Sequence, residues 1–234
     1  MVARNYSKNL TLKEIDLWLI DTHEADWNKA LGLQYLLSDI EIKKFNNLIF
    51  HKDKRSYLIS HISLRMILSF YCKISPLLIK YSFNKYNKPY IDGHQELYFN
   101  LSHTKDKAII AISSQEVGVD IEHIINDQTY LEIANYYFEP EELNIINAQT
   151  NTKSKIRIFY QIWTMKEALM KGIGVGLIDK LPKLTFYKYN NKCVVTTNNR
   201  TWIVQTIQTF WVDYVASIAY LEQTPTINYY NYFL

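Results

Sequence analysis

Residues 156–177 constrain this chain more than any other stretch, because they ask one helix to bury a side that carries an ionisable group. Phe159, Ile162, Trp163, Leu169, Met170 and Ile173 recur at helical spacing and predict an amphipathic helix over about 156–172. Glu167 falls inside that apolar row, four residues after Trp163 and three before Met170, and Lys171 lies one turn further on. A carboxylate on the inward stripe of a helix is costly unless it has a partner, a metal or a chemical task. Three of the six glycines, Gly172, Gly174 and Gly176, crowd the exit. One such residue is enough to stop a helix. Three predict a special loop or a close approach of the backbone to something else.

The rest of the chain reads in order around this helix. Ile15, Leu17 and Leu19 alternate and predict a first strand over 13–21, followed by a short helix over 26–37. A long helical region over 38–71 follows, with Ser38 as a cap and Lys52 and Arg55 sharing a face near the start of its second part. Asn87-Lys88-Pro89-Tyr90 reads as a turn into an extended segment. Strands are expected over 97–101 and 108–113, and Asn100-Leu101-Ser102-His103 closes the first of them. Val117, Val119 and Ile121 alternate with Gly118, Asp120 and Glu122, so a strand here sets both carboxylates on one face. Helical pieces follow over 127–149 with Pro140 at a helix start, and after the long helix come strands over 183–189, 193–197, 201–209 and 213–221. Asn190-Asn191 and Asn198-Asn199 read as hairpin turns, and 222–234 carries no clear pattern. Strand, helices and strands thus occur twice. The order implies an α+β chain of two halves, 1–114 and 115–234.

Composition narrows the function. The chain has 234 residues, 48% hydrophobic and 21% charged, which suits a globular protein. Its apolar runs are too short to span a bilayer, and the first residues lack an apolar leader, so a cytoplasmic protein without membrane partners is expected. Cys72 and Cys193 are isolated thiols without metal spacing. The 19 tyrosines are scattered and not interleaved with basic residues, so no nucleic-acid surface is expected. Residues 1–115 hold 16 Lys/Arg against 11 Asp/Glu, and residues 116–234 hold 10 against 12. A basic half beside a carboxylate-bearing half suits a phosphorylated ligand and a cation. An ordinary surface fluctuation explains the same numbers.

Asp120, Glu122 and Glu167 are oxygen ligands of the kind that hold Mg²⁺ or Mn²⁺. Lys166 and Lys171 flank Glu167, where a phosphate near such a metal would meet ammonium groups. Taken singly, each pattern is also an ordinary one: a surface Asp-x-Glu pair, a salt-bridged helix face, a structural His103. Their combination with the glycine exit raises the functional reading.

Gly118-Val119-Asp120-Ile121-Glu122, followed some forty residues later by Trp163-x-x-Lys166-Glu167-Ala168-x-x-Lys171, resembles the paired signature of the 4′-phosphopantetheinyl transferases. Asn87-Lys88-Pro89-Tyr90 resembles the family's Gly-Lys-Pro segment with Asn for Gly, and Asn100-Leu101-Ser102-His103 its Asn-x-Ser-His turn. The length resembles the single-chain Sfp-type branch, so a monomer is expected. The resemblance implies two similar halves related by a pseudo-twofold, with the active site in the cleft between them. It implies transfer of the phosphopantetheine arm of coenzyme A to a serine of an apo acyl or peptidyl carrier protein, releasing adenosine 3′,5′-bisphosphate. Asp120, Glu122 and Glu167 would hold Mg²⁺, with Glu167 and Lys171 catalytic. Coenzyme A would meet Lys52, Arg55, Lys88, Pro89, Ser102, His103, Lys166 and Lys171, with Lys166 pairing either with it or only with a neighbouring carboxylate. The same carboxylates and lysines would also serve a Mg-dependent nucleotide phosphohydrolase or a non-catalytic coenzyme A-binding module.

Overall fold

The computed structural model describes residues 14–175, 183–186, 192–197, 199–221 and 225–234. Its first elements are β1 (Glu14–Asp21), α1 (Trp27–Gly32), α2 (Asp39–Asn47), α3 (His51–Cys72), β2 (Tyr81–Phe83), β3 (Pro89–Ile91), β4 (Tyr98–Thr104) and β5 (Lys107–Ser113). Then come β6 (Val117–His123), α4 (Thr129–Tyr137), α5 (Pro140–Asn147), α6 (Thr152–Ile173), β7 (Thr185–Phe186), β8 (Lys192–Thr197), β9 (Arg200–Ile207), β10 (Tyr214–Leu221) and β11 (Thr226–Tyr232). The fold is α+β. It divides into two compact units, one of residues 1–83, 89–114 and 225–234, the other of 84–88 and 115–224. Two segments therefore lie across a simple division at 114/115. The turn 84–88 makes its side-chain bonds to residues of the second unit, and the tail forms a strand of the first unit's sheet.

In the first unit the sheet order is β11-β1-β5-β4, with β11 parallel to β1 and the other pairs antiparallel. The sequence 222–234 showed no strand pattern, yet Ile227, Tyr229 and Asn231 stand opposite Ile15, Leu17 and Leu19. The buried Asp16 explains part of this pairing: it accepts from Asn228 Nδ2 (2.9 Å) on β11 and from the Tyr71 hydroxyl on α3. Trp18 stacks on Tyr230 with ring centroids 4.6 Å apart. The long helical region expected over 38–71 is two helices. Ser38 caps α2 in a reciprocal box with Glu41, and an extended break at Leu48–Phe50 separates it from α3. Leu58, Ile59, Ile62 and Leu68 on α3 join Ile20, Ile110 and Ile112 of the sheet in one apolar core.

Glu41 does more than cap. Arg65 donates to its Oε2 through Nε (3.0 Å) and Nη2 (2.6 Å), and His61 Nδ1 is 3.2 Å from Oε1. Burial pushes the Glu41 carboxyl up. The bonds from His61, Arg65 and Ser38 outweigh it and leave its pKa at about 2.

The second unit is an antiparallel sheet in the order β6-β10-β9-β8-β7, with α6 lying against it. Asn199 has φ +58°, a value suited to the tight turn joining β8 to β9. Asn190, Asn191 and Asn198, expected turn residues, lie outside the described residues, as do Gly176 and Leu177. Asn151 caps α6 by accepting from Ser154 N (2.9 Å), and the helix ends at Gly174 with φ +74°. Phe159, Ile162, Met165 and Leu169 on α6 form the core with Trp202, Val204 and Ala219.

The glycines of the motif work differently from one another. A Cβ on Gly118 would lie 2.0 Å from Ala168 O and 2.3 Å from Gly172 N, so β6 and α6 touch backbone to backbone there. Gly172 is inside the helix, and a Cβ on it would meet the Trp202 ring at 2.7 Å. The close approach expected of the glycine exit is thus an approach of helix to strand.

Candidate active site

The backbone contact at Gly118 sets β6 and α6 at a fixed spacing, and the functional side chains issue from just beyond it. Asp120, two residues along β6, is buried, and its Oδ1 accepts from Lys171 Nζ at 2.6 Å. Glu167 is one helical turn before Lys171 and half-buried. Its Oε1 is buried and accepts no hydrogen bond among the described residues. Burial first, and then repulsion from Asp120, raise the Glu167 pKa, and Lys171 pulls it part of the way back. A carboxyl raised by burial and a neighbouring acid, beside an Asp–Lys ion pair, forms a site primed for a further cation or for a proton. Glu122 follows Asp120 on the same face of β6 and is half-buried. Among the described residues, no group of three His, Cys, Asp or Glu side chains is arranged to hold a metal ion. Asp120, Glu167 and Lys171 are brought together; Glu122 is not gathered with them into a ligand set.

Lys166 goes elsewhere. Adjacent helix positions point about 100° apart, so Lys166 and Glu167 leave the helix in different directions. Lys166 is fully buried, its Nζ 2.8 Å from Glu142 Oε1 and 5.5 Å from the Phe138 ring centroid. Glu142 also accepts from Glu139 N (2.9 Å) and Leu184 N (3.1 Å). Lys166 thereby ties α6 to α5, and of its two expected partners, coenzyme A or a neighbouring carboxylate, it is the carboxylate that it meets here. Lys88 is also engaged: its ammonium donates to Gly172 O (2.6 Å) and Val117 O (3.2 Å), and burial lowers its pKa to about 8.

The remaining expected residues belong to the first unit. Ser102 is buried and His103 exposed near the end of β4, with His103 Nδ1 3.4 Å from Ser56 Oγ on α3. Arg55 is spent on the backbone: Nε donates to Thr22 O (2.8 Å) and Nη2 to His23 O and Ala25 O, which closes the loop after β1. Lys52 is exposed, and Pro89 opens β3, half-buried. Sequence reasoning missed Asn84 and Glu142. Glu142 had a signal, since Glu139-Pro140-Glu141-Glu142 is a capping box, with Glu in place of the usual Ser or Thr. Asn84 had only its place ahead of a turn.

Two family models match consecutive parts of the chain. One, described as "4'-phosphopantetheinyl transferase, N-terminal", matches residues 21–115, and the other, "4'-phosphopantetheinyl transferase superfamily", matches residues 116–219. The chain belongs to the 4′-phosphopantetheinyl transferases. It is of the Sfp-type branch and is a transferase. The chain is 29% identical over 175 residues to the 4′-phosphopantetheinyl transferase HetI of Nostoc, covering 72% of this chain and 73% of that one. It is 32% identical over 154 residues to the transferase gsp of Aneurinibacillus migulanus, covering 62% and 63%. It is 32% identical over 129 residues to Sfp of Bacillus subtilis, covering 55% and 56%. The second family model spans Asp120, Glu167 and Lys171, so the side chains that are brought together lie within the matched part, as does Glu122.

Proposed function

We propose that this transferase moves the 4′-phosphopantetheine arm of coenzyme A to a serine hydroxyl of an apo acyl or peptidyl carrier protein, releasing adenosine 3′,5′-bisphosphate. The observation that carries the reading is the half-buried Glu167 carboxylate, whose buried Oε1 has no hydrogen-bond donor among the described residues, beside the Asp120–Lys171 pair. In the reaction the serine oxygen forms a bond to the phosphorus bearing the pantetheine arm. The bond from that phosphorus to the oxygen of the departing nucleotide phosphate breaks. Glu167 accepts the serine proton, for which a carboxylate raised by burial is suited. Lys171, part-exposed at 31%, offers its ammonium to the departing phosphate.

Asp120 and Glu167 are hard oxygen donors of the kind Mg²⁺ takes and would hold the ion, while Glu122 shares the face of Asp120 without being gathered with them. When bound, the ion neutralises charge on the phosphate oxygens. Ser102 and His103 are assigned to the phosphates of coenzyme A, Lys52 and Arg55 to its 3′-phosphate and Pro89 to the adenine side. For Arg55 the assignment is weakened by its bonds to three carbonyls. On this reading the protein works in the cytoplasm, as a monomer, without nucleic-acid or membrane partners.

The test is to incubate the protein with coenzyme A, Mg²⁺ and an apo carrier protein and to weigh the carrier. A gain of one phosphopantetheine that requires Glu167 supports the proposal. Release of nucleotide in the absence of carrier, or binding of coenzyme A with no product, would replace it with a hydrolase or a binding module.

A further inference from the structure

The turn Asn84–Lys88 connects two strands of the first unit, yet its polar groups are committed to the second. The Asn84 side chain organises it. Oδ1 accepts from Tyr86 N (2.8 Å) and Lys88 N (2.9 Å), and Asn84 N donates to Lys88 O (3.0 Å). Asn87 takes the left-handed φ of +65° that closes the turn. Both long side chains then reach one place, the C-terminal end of α6. Asn84 Nδ2 donates to Gly174 O (3.0 Å), and Lys88 Nζ donates to Gly172 O (2.6 Å). The Lys88 stem packs over Gly174, where an added Cβ would meet Lys88 Cδ at 2.8 Å.

The last carbonyls of a helix lack intrahelical partners and carry its negative end. In α6 the Met170 carbonyl is taken by Gly174 N (2.8 Å), and the turn supplies donors for two of those beyond it. Lys88 also donates to Val117 O (3.2 Å) on β6. One ammonium therefore clamps β6 and α6 together beside Gly118, where the two backbones touch. Asp120 projects from that strand two residues on, and Lys171 from that helix one residue before Gly172.

We propose that Asn84 and Lys88 are positioning residues of the transferase: their turn caps and clamps the end of α6 and so sets the spacing of Asp120, Glu167 and Lys171. The proposal rests on the function assigned above. It differs from the coenzyme A contact that resemblance assigns to Lys88, because the ammonium here serves two backbone carbonyls. Its depressed pKa agrees with a group held away from water.

The experiment compares wild type with Lys88→Met, which keeps the stem and removes the donor, and with Asn84→Ala. Two readouts are taken: hydrogen exchange of the backbone amides at 171–175, and carrier modification with varied coenzyme A. Both variants should exchange faster in that last turn, with residues 156–165 unchanged: about tenfold or more for Lys88→Met, which loses two hydrogen bonds from an ammonium, and about threefold to tenfold for Asn84→Ala, which loses a neutral one. Their kcat should fall about tenfold while KM for coenzyme A stays within about twofold. Lys88→Arg, which keeps donors for the two carbonyls, should recover part of kcat. Unchanged exchange in the last turn overturns the clamp. Faster exchange with wild-type kcat overturns the positioning role, and a raised KM with wild-type kcat returns Lys88 to ligand binding. Should Lys88→Met fail to fold, Asn84→Ala carries the same comparison. A wild type that never modifies the carrier fails the functional reading instead, and the exchange measurement then decides the clamp by itself.

Discussion

Replacing Lys166 by Met separates a core ion pair from a ligand contact. Lys166 and Glu142 have side chains 0% and 1% exposed and 2.8 Å apart. Removing one partner of such a pair strands the other's charge and costs about 3–5 kcal/mol. Met matches the aliphatic stem, so little of this loss comes from a cavity. For a chain of this length each kcal/mol moves the thermal midpoint by about 2–4 °C, which gives a fall of about 6–20 °C in the transition of the second unit. Adding Glu142→Gln should recover part of it, because the stranded charge is gone while an oxygen remains for one of the amides of Glu139 and Leu184. The assay is unfolding followed by circular dichroism, alongside KM for coenzyme A measured below the transition. A Lys166→Met protein of wild-type stability with a several-fold higher KM would refute this account and restore Lys166 to the ligand.

Three other outcomes are expected. Glu167→Gln should lower carrier modification by at least about a hundredfold, the lower range for losing a general base, with an unfolding midpoint no lower than wild type, since the neutral amide relieves the burial and repulsion that raise the carboxyl. Gly118→Ala should cost about 3 kcal/mol or more, because its methyl overlaps backbone atoms of α6 at 2.0 and 2.3 Å that cannot swing aside; an unchanged denaturation midpoint would count against the backbone contact. The first unit should lose stability in acid through Glu41. Its folded pKa of about 2 lies below the ordinary 4.5, so the contribution is complete above about pH 4.5 and disappears as pH falls toward 2. Glu41→Gln should flatten that part of an acid-unfolding profile.

Much of the site could be read from the chain because it depends on local periodicity. Glu167 in an apolar row, with Lys171 one turn on, needs only the helix repeat to be seen, and Asp120 with Glu122 only the strand repeat. The failures share another origin. Lys166 was left between coenzyme A and a neighbouring carboxylate because its partner, Glu142, sits on a different helix, and no periodicity within α6 can report that. Gly172, Gly174 and Gly176 suggested a special loop or a close approach without saying of what; Gly172 meets Gly118, more than fifty residues earlier, and Gly174 ends the helix. Arg55 read as a basic residue sharing a helix face with Lys52, and the carbonyls it binds lie about thirty residues earlier. The strand β11 was missed for the same reason: its partner is β1, some two hundred residues away, and a Tyr/Asn-rich segment gives little hydrophobic alternation by itself.

The parallel pairing of β11 with β1 has a consequence for biogenesis. The first unit is discontinuous along the chain, with residues 115–224 inserted between its parts. During synthesis β1, β4 and β5 emerge early, but Asp16 meets Asn228 and Trp18 meets Tyr230 only after the whole inserted unit has been made. Until then β1 is an open sheet edge bearing an acid destined for burial. Severing the polypeptide at 114 therefore yields no pair of self-sufficient halves: the leading piece lacks a strand, and the trailing piece lacks the Asn84–Lys88 turn.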